Sequence, residues 1–198
     1  MRLLLICYTL LSISLCAQTD TASSLLSRFY LPFDFGATIT QNKNMRPGIL
    51  IKTGLEYRFK KTNSLFARFN FDNRSNNYKL PNNPTTNVTE GKIRFNDYVV
   101  GIGYRIGKKK IKALGLLQGG ISTHEYPTLQ GTTNNFIIVD RQVETPIFKL
   151  ALGVEYYIAQ NAALTLDTGC SLISDQSIFW SKHLSIFEIS LGLTASLF

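Results

Sequence analysis

The sequence predicts an all-β protein, an eight-stranded antiparallel up-and-down transmembrane β-barrel. Three observations predict it. Apolar and polar residues alternate with a period of two over eight separate stretches. The connections between those stretches alternate between short and long. One of the two strand faces also carries almost all of the strand charge. Beyond the N-terminus no run approaches 18 consecutive apolar residues, so the sequence offers no spanning helix.

The chain has 198 residues, a length that suits one domain, and a formal net charge of +8. Residues 1–17, MRLLLICYTLLSISLCA, read as a secretory signal peptide: one Arg, an apolar run from Leu3 to Leu15, and the small Ala17 before the cut. Leu15 stands where a lipidation signal carries a small residue, so Cys16 is read as part of the leader. Removing Arg2 with the leader leaves +7, and Cys170 becomes the single thiol of the mature chain. That excludes an internal disulfide framework and a cysteine metal site. Residues 18–28 precede the first strand, and residues 29–198 form the barrel.

The strands follow in order. Phe29, Leu31, Phe33, Phe35, Ala37 and Ile39 share a face of the first. In the second, Ile49, Ile51, Thr53, Leu55, Tyr57 and Phe59 alternate with Leu50, Lys52, Gly54, Glu56 and Arg58. The third sets Leu65, Ala67, Phe69 and Phe71 against Phe66, Arg68, Asn70 and Asp72. The fourth sets Tyr98, Val100, Ile102, Tyr104 and Ile106 against Asp97, Val99, Gly101, Gly103 and Arg105. In the fifth, from Ile111, the alternation breaks at Leu114, Leu116 and Leu117, and Gly119-Gly120 suggests a bulge or a close backbone approach. The sixth sets Phe148, Leu150, Leu152, Val154, Tyr156 and Ile158 against Lys149, Ala151, Gly153, Glu155 and Tyr157. The seventh sets Leu164, Leu166, Cys170 and Leu172 against Thr165, Asp167, Gly169 and Ser171. The eighth, SIFEISLGLTASLF, runs from Phe187 to Leu197 on one face and carries Glu188 on the other.

Brief turns join strands 2–3, 4–5 and 6–7 (KKTNS, GKKK and AQNA). Longer polar segments are expected between 1–2, 3–4, 5–6 and 7–8, the longest being Ser75 to Lys92 and His124 to Thr145. Short turns at one end and long loops at the other describe a meander closed into a barrel, with both termini at the short-turn end. Each strand has room for about 10 to 14 residues, enough for a tilted strand to cross a bilayer.

Such a sheet closes in one of two ways. A lipocalin-like barrel hides its apolar face around a ligand and shows charge to water; a membrane barrel does the reverse. The charged row favours the second. Lys52, Arg58, Arg68, Arg105 and Lys149 face Glu56, Asp72, Asp97, Glu155, Asp167 and Glu188, a set that can pair across a narrow lumen. Glycines share that face, as a tight interior requires. Tyr57, Phe59, Tyr104 and Tyr156 gather near the short turns, and Phe69, Phe71, Tyr98, Phe148, Phe179 and Trp180 toward the long loops, as two interfacial girdles do. No Gly-x-Trp lies near the first strand, which removes a lipocalin signal.

No catalytic or metal constellation stands out. His183 and Ser185 share one strand face while Glu188 points to the other, so they do not form a triad. His124 and Glu125 read as a solvated pair at the start of a loop. GIGYRIG (Gly101 to Gly107) lies within a strand, where its glycines make room in the lumen rather than cradle a phosphate. Cys170 is a small hydrophobe on the apolar face, and the Asn73-Arg-Ser and Asn87-Val-Thr triplets match the N-glycosylation pattern. No cofactor, metal or nucleic acid is expected; the basic runs at Lys60–Lys61 and Lys108–Lys110 suit anionic headgroups or a solvated turn.

From Phe29 to Phe198 the chain resembles the small eight-stranded outer-membrane β-barrels of Gram-negative bacteria, the OmpA/OmpX-like group and the outer membrane protein β-barrel domain families. The resemblance rests on architecture and on the terminal aromatic strand. It implies an outer-membrane location, a periplasmic position for residues 18–28, contact with membrane lipid and lipopolysaccharide, and a last strand ending in Phe198 that the barrel-assembly machinery reads. The apolar row ends at Leu197, one residue out of step with Phe198; either a slip near Ala195 restores the phase or recognition tolerates the offset. The implied function is non-enzymatic, exerted through the long loops in adhesion, partner binding or envelope structure. A narrow channel for small solutes is the alternative, and a soluble lipocalin-like binding barrel a further one.

Overall fold

The computed structural model of the chain describes residues 27–59, 64–79, 90–132, 135–174 and 183–197, with the backbone alone over 126–140. The expected leader at 1–17, Lys60–Lys61, Asn87, Phe179, Trp180 and Phe198 lie outside the described residues. The strands are β1 (Phe29–Thr40), β2 (Met45–Arg58), β3 (Leu65–Lys79), β4 (Glu90–Lys108), β5 (Ile111–Thr132), β6 (Asn135–Ala159), β7 (Ala162–Ile173) and β8 (Leu184–Ser196). Each pairs antiparallel with the next, and β8 returns to β1 from Tyr30↔Ser196 to Thr40↔Ile186, closing the ring. Closure gives every strand two hydrogen-bonding neighbours, so no backbone edge faces the surroundings through the body of the barrel.

Successive side chains point alternately in and out, and the two directions have opposite chemistry. Around the barrel's waist the outward positions are large and apolar: Phe33, Ile51, Ile102, Leu117, Leu150, Leu166 and Leu191 are all exposed. Inward positions at the same level are charged and buried, among them Lys52, Glu56, Arg68, Arg105 and Lys149. A water-soluble barrel has no use for an apolar exterior of this size, so the lipocalin-like alternative fails on the placement of its faces.

Toward the long-loop end the pattern inverts. Phe71, Tyr98, Ile121 and Pro146 are register partners on four adjacent strands, and the Phe71 and Tyr98 rings meet at 5.1 Å. One outward step further the partners are Asn73, Asn96, Thr123 and Glu144, with the Asn73 and Asn96 side chains hydrogen-bonded at 2.6 Å. The lumen at this end is filled by Met45, Tyr78, Ile93, Phe95, Ile147, Ile173, Leu184 and Ile186, an apolar plug. The strands are thus inside-out where lipid surrounds them and conventional where water does. The sharp change at Phe71–Tyr98 marks the upper edge of the bilayer.

Several expectations are corrected. β1 and β2 are joined by the four residues Gln41–Asn44, not a long loop, because β2 already begins at Met45. The stretch from His124 to Thr145 is no loop either. β5 and β6 stay paired out to Thr132↔Asn135, while β5 leaves β4 after Glu125 and β6 leaves β7 before Ile147. The result is a two-stranded arm rising about 20 Å past the barrel. β3 to β6 are 15 to 25 residues long, beyond the 10 to 14 expected, while β1, β2, β7 and β8, at 12 to 14, lie within it. β5 carries no bulge: its register runs unbroken, Leu114 and Leu116 turn inward against Phe66, and Gly120 lies so close to Tyr98 and Val99 that a Cβ has no room. β8 keeps its register through Ser196, so no slip occurs near Ala195.

A cation on the waist has no water to meet. Ile102, 62% exposed to the surroundings, sits in a row with Leu117 and Leu150. Ile102→Lys is expected to lower stability in lipid vesicles by about 2–4 kcal/mol, read from urea unfolding. The same change at Ser75 on the polar upper face should leave the midpoint within about 0.5 kcal/mol.

Candidate functional site: the lumen and its two charge clusters

The inward charges assemble into two clusters separated along the barrel axis. The lower one centres on Glu56, which is fully buried. Its Oε1 accepts hydrogen bonds from Arg58 Nε at 2.6 Å and Arg105 Nη2 at 2.8 Å. Its Oε2 accepts from Arg68 Nε at 2.9 Å, Arg68 Nη2 at 2.6 Å and Arg105 Nη2 at 2.8 Å. Arg105 reaches on to both oxygens of Glu155, at 2.7 and 2.8 Å. The Tyr157 hydroxyl donates to Glu155 at 2.9 Å and accepts from Arg58 at 3.0 Å. Apolar and aromatic surface completes the solvation of these cations: Arg58 lies 3.3 Å from the centre of the Tyr30 ring and Arg105 4.1 Å from that of Phe66.

This packing explains two glycines. A Cβ at Gly103 would meet the Phe66 ring, and one at Gly192 would meet the Asp34 carboxylate, which accepts a hydrogen bond from Thr165 Oγ1 at 2.7 Å. Eight strands leave a lumen only as wide as its own side chains, so large inward residues need small ones opposite.

The upper cluster centres on Lys149. Its Nζ pairs with Asp72, with Glu188 at 3.0 Å and with Asp97 at 3.5 Å. Arg74 braces the same acids, to Asp97 at 2.5 Å and Glu188 at 3.2 Å, and donates to Ser171 Oγ at 2.8 Å. Ser122 Oγ donates to Asp97 Oδ1 at 2.6 Å. Between the clusters is a space of about 10 Å³ lined by Lys52, Arg68, Asp72, Gln118, Lys149 and Asp167, room for about one water. Asp167 stands 3.9 Å from Arg68.

The structure brings the eleven charged positions named from the sequence into this lumen: Lys52, Glu56, Arg58, Arg68, Asp72, Asp97, Arg105, Lys149, Glu155, Asp167 and Glu188 are all buried. Sequence reasoning passed over two more. Arg74, fully buried, continues the inward parity of Arg68, Asn70 and Asp72, one inward step past the end that the sequence suggests for the third strand. Asp34 is the single charge between Phe33 and Phe35 on β1, and its inward parity was readable there. His124 is also corrected: it is fully buried in the lumen, its ring 5.6 Å from that of Phe95, not part of a solvated pair.

Chemistry beyond packing finds little to build on here. Among the described residues no cluster of His, Cys, Asp and Glu is arranged to hold a metal ion. Glu188 is held in the lumen by Lys149 and Arg74, while His183 is exposed at the head of β8. The Cys170 thiol stands outward between Leu166 and Leu172 on β7.

A closed eight-stranded ring with a lipid-type exterior and a side-chain-filled lumen defines a small transmembrane β-barrel of the outer-membrane type. Solved structures share that architecture. The chain is similar to Neisserial surface protein A (NspA), with 17% identity and a TM-score of 0.58, over 86% of this chain and 97% of that one. It is also similar to the outer membrane protein OprG from Pseudomonas aeruginosa, with 10% identity and a TM-score of 0.51, over 84% and 94% of the two chains. At these identities the likeness is one of fold. No protein-family model matches the sequence, and no curated protein does.

Neutralising the central carboxylate strands three guanidinium groups. Glu56→Gln is expected to destabilise the barrel by about 3–5 kcal/mol, the range for an orphaned buried charge. Glu90→Gln breaks only the exposed pair with Lys79 and should not move the unfolding midpoint. Equal effects at the two sites would remove the energetic distinction between lumen and surface pairs.

Proposed function

We propose that this chain is a non-enzymatic integral protein of the outer membrane, with a barrel that is a closed support and a working surface beyond the lipid. In this reading lipopolysaccharide surrounds the upper rim, and the barrel-assembly machinery reads the closing strand with Phe198. The β5–β6 arm is the part that meets a partner, and its backbone geometry is the observation that carries the reading.

The Pro146 carbonyl accepts a hydrogen bond from Ser174 N at 3.5 Å, so the backbone groups of Pro146 face β7. In an extended strand every second residue faces the same side. Above the last β6–β7 pair, the N–H and C=O groups of Glu144, Gln142, Asp140, Ile138 and Phe136 therefore face an edge with no strand partner among the described residues. On β5 the opposite edge begins above Glu125, which is still paired with Arg94 of β4, and is formed by Pro127, Leu129 and Gly131. Pro127 has no N–H to offer, which blunts that edge. The β5 edge is shorter and starts on a proline, while the β6 edge offers five successive residues with both groups, which suits capture of an extended segment of another protein there.

A filled lumen also argues against the narrow channel: both clusters are buried ion pairs, and the apolar plug lies above them. The protein is expected in the outer-membrane fraction with a heat-dependent shift on gels, and without stepwise conductance in planar bilayers. Ile138→Pro removes one open-edge N–H while leaving the β5 side of the hairpin intact. It should keep the gel shift and reduce adhesion of cells displaying the protein to matrix-coated surfaces at least fivefold. Adhesion undiminished both in this variant and after excision of 127–140 would sink the arm reading, and conductance steps would favour the channel.

A further inference from the structure

The two rims of the barrel differ in charge. At the long-loop end exposed cations and anions are mixed: Lys43, Arg46, Lys92 and Arg94 stand among Glu90, Glu125 and Glu144. At the short-turn end the described residues show no exposed carboxylate, since Glu56, Glu155 and Asp167 are all buried in the lumen. What that rim shows instead is the β4–β5 turn, Lys108, Lys109 and Lys110, all exposed. Lys109 is the tip of the turn, in the left-handed region at φ 56°. Lys112, the next inward position, is occupied over the Tyr157 ring at 4.6 Å, so it does not dilute or extend the patch.

The outward positions next to the turn are apolar and aromatic. Tyr104 and Ile106 on β4, Ile111 on β5, and Tyr156 and Ile158 on β6 are all exposed on the lipid face. Lys108 pairs with Ile111 in register, so the turn starts where the apolar band stops. The lysine stems span the distance from that band to the level of lipid phosphates, with their ammonium groups in water. Tyrosine at the boundary and a single-sign cationic turn immediately past it is the arrangement that an anionic headgroup complements.

We propose that the Lys108–Lys110 turn, with Tyr104 and Tyr156 beneath it, seats an anionic phospholipid of the leaflet at the short-turn end. The partner is a two-chain phosphodiester lipid with net negative charge, whose acyl chains lie along Ile106, Ile111 and Ile158 and whose phosphate meets the ammonium groups. The inference rests on the membrane reading above for its bilayer, and takes nothing from the arm.

The test uses the full mature protein refolded in mixed micelles of phosphatidylglycerol and phosphatidylcholine in equal amounts, with retained lipid counted by native mass spectrometry. The wild type is expected to retain phosphatidylglycerol over phosphatidylcholine by about tenfold, and to lose that preference in high salt. The variant K108Q/K109N/K110Q keeps the turn, because Asn tolerates the left-handed tip, and should retain the two lipids within about twofold of each other. K92Q/R94Q at the opposite rim should keep the wild-type preference. Equal retention by the wild type, an unchanged preference in the triple variant, or a preference carried by Lys92 and Arg94 each overturns the proposal. A heat-dependent gel shift of the same samples separates the two levels. No shift is a failure of the membrane reading, whereas a shift without preference is a failure of the lysine turn alone.

Discussion

Hydrogen bonding between β1 and β8 is the constraint on which the rest of this structure depends. In hydrocarbon an unpaired peptide group costs several kcal/mol, so a sheet inside a bilayer is stable only when it has no edge. The pairing from Tyr30↔Ser196 to Thr40↔Ile186 removes the last edge. Once the ring is closed with eight strands, its width is fixed, and so is the choice facing each side chain. An outward residue meets lipid, and an inward residue meets only other inward residues.

That second condition accounts for the lumen. The inward charges have no water to solvate them, so they solvate one another: Glu56 is shared among three arginines, and Lys149 among three carboxylates. Burial of this kind contributes little net stability when complete, because desolvation offsets most of the attraction. Its strength lies in the cost of breaking it, since each missing partner leaves a charge with nowhere to go. The network therefore specifies register. A one-residue slip of β2 would turn Lys52, Glu56 and Arg58 outward into lipid and bring Ile51, Thr53 and Leu55 into the charged interior.

The waist of the barrel was legible because its chemistry repeats over most of its residues. Lys52-x-x-x-Glu56-x-Arg58 on β2 and Arg68 to Asp72 on β3 share a parity that their apolar neighbours confirm. Legibility fails where the surroundings change from lipid to water. On β4, Ile93 and Phe95 are inward and Lys92, Arg94 and Asn96 outward, the reverse of the pattern from Asp97 to Arg105. Alternation persists there while its meaning inverts, so a reading that expects greasy-out ends the strand and begins a loop. The arm was missed for the same reason, and His124 with it, since a polar outward face looks like a polar connection. Arg74 fell just past that boundary. Asp34 lies well inside it, and Phe33 and Phe35, which flank it on the lipid face, make its inward parity readable from the sequence.

The inversion also gives the arm a mechanical footing. A two-stranded ribbon is marginal by itself, and an open edge adds nothing to its stability. The base of this ribbon is a different matter. Ile147 of β6 is fully buried in the plug, Val143 packs against it from the first turns of the arm, and Ser122 of β5 is tied to Asp97 on β4 at 2.6 Å. Met45, Ile173, Leu184 and Ile186 bring β2, β7 and β8 to the same plug. Load applied to the arm is thus delivered to β2, β3, β4, β7 and β8, and through Asp97 to Arg74 and Lys149 of the upper charge cluster. The apolar plug is the joint at which a water-exposed ribbon is fixed to a lipid-embedded barrel, which is why the lumen stops being charged at that level.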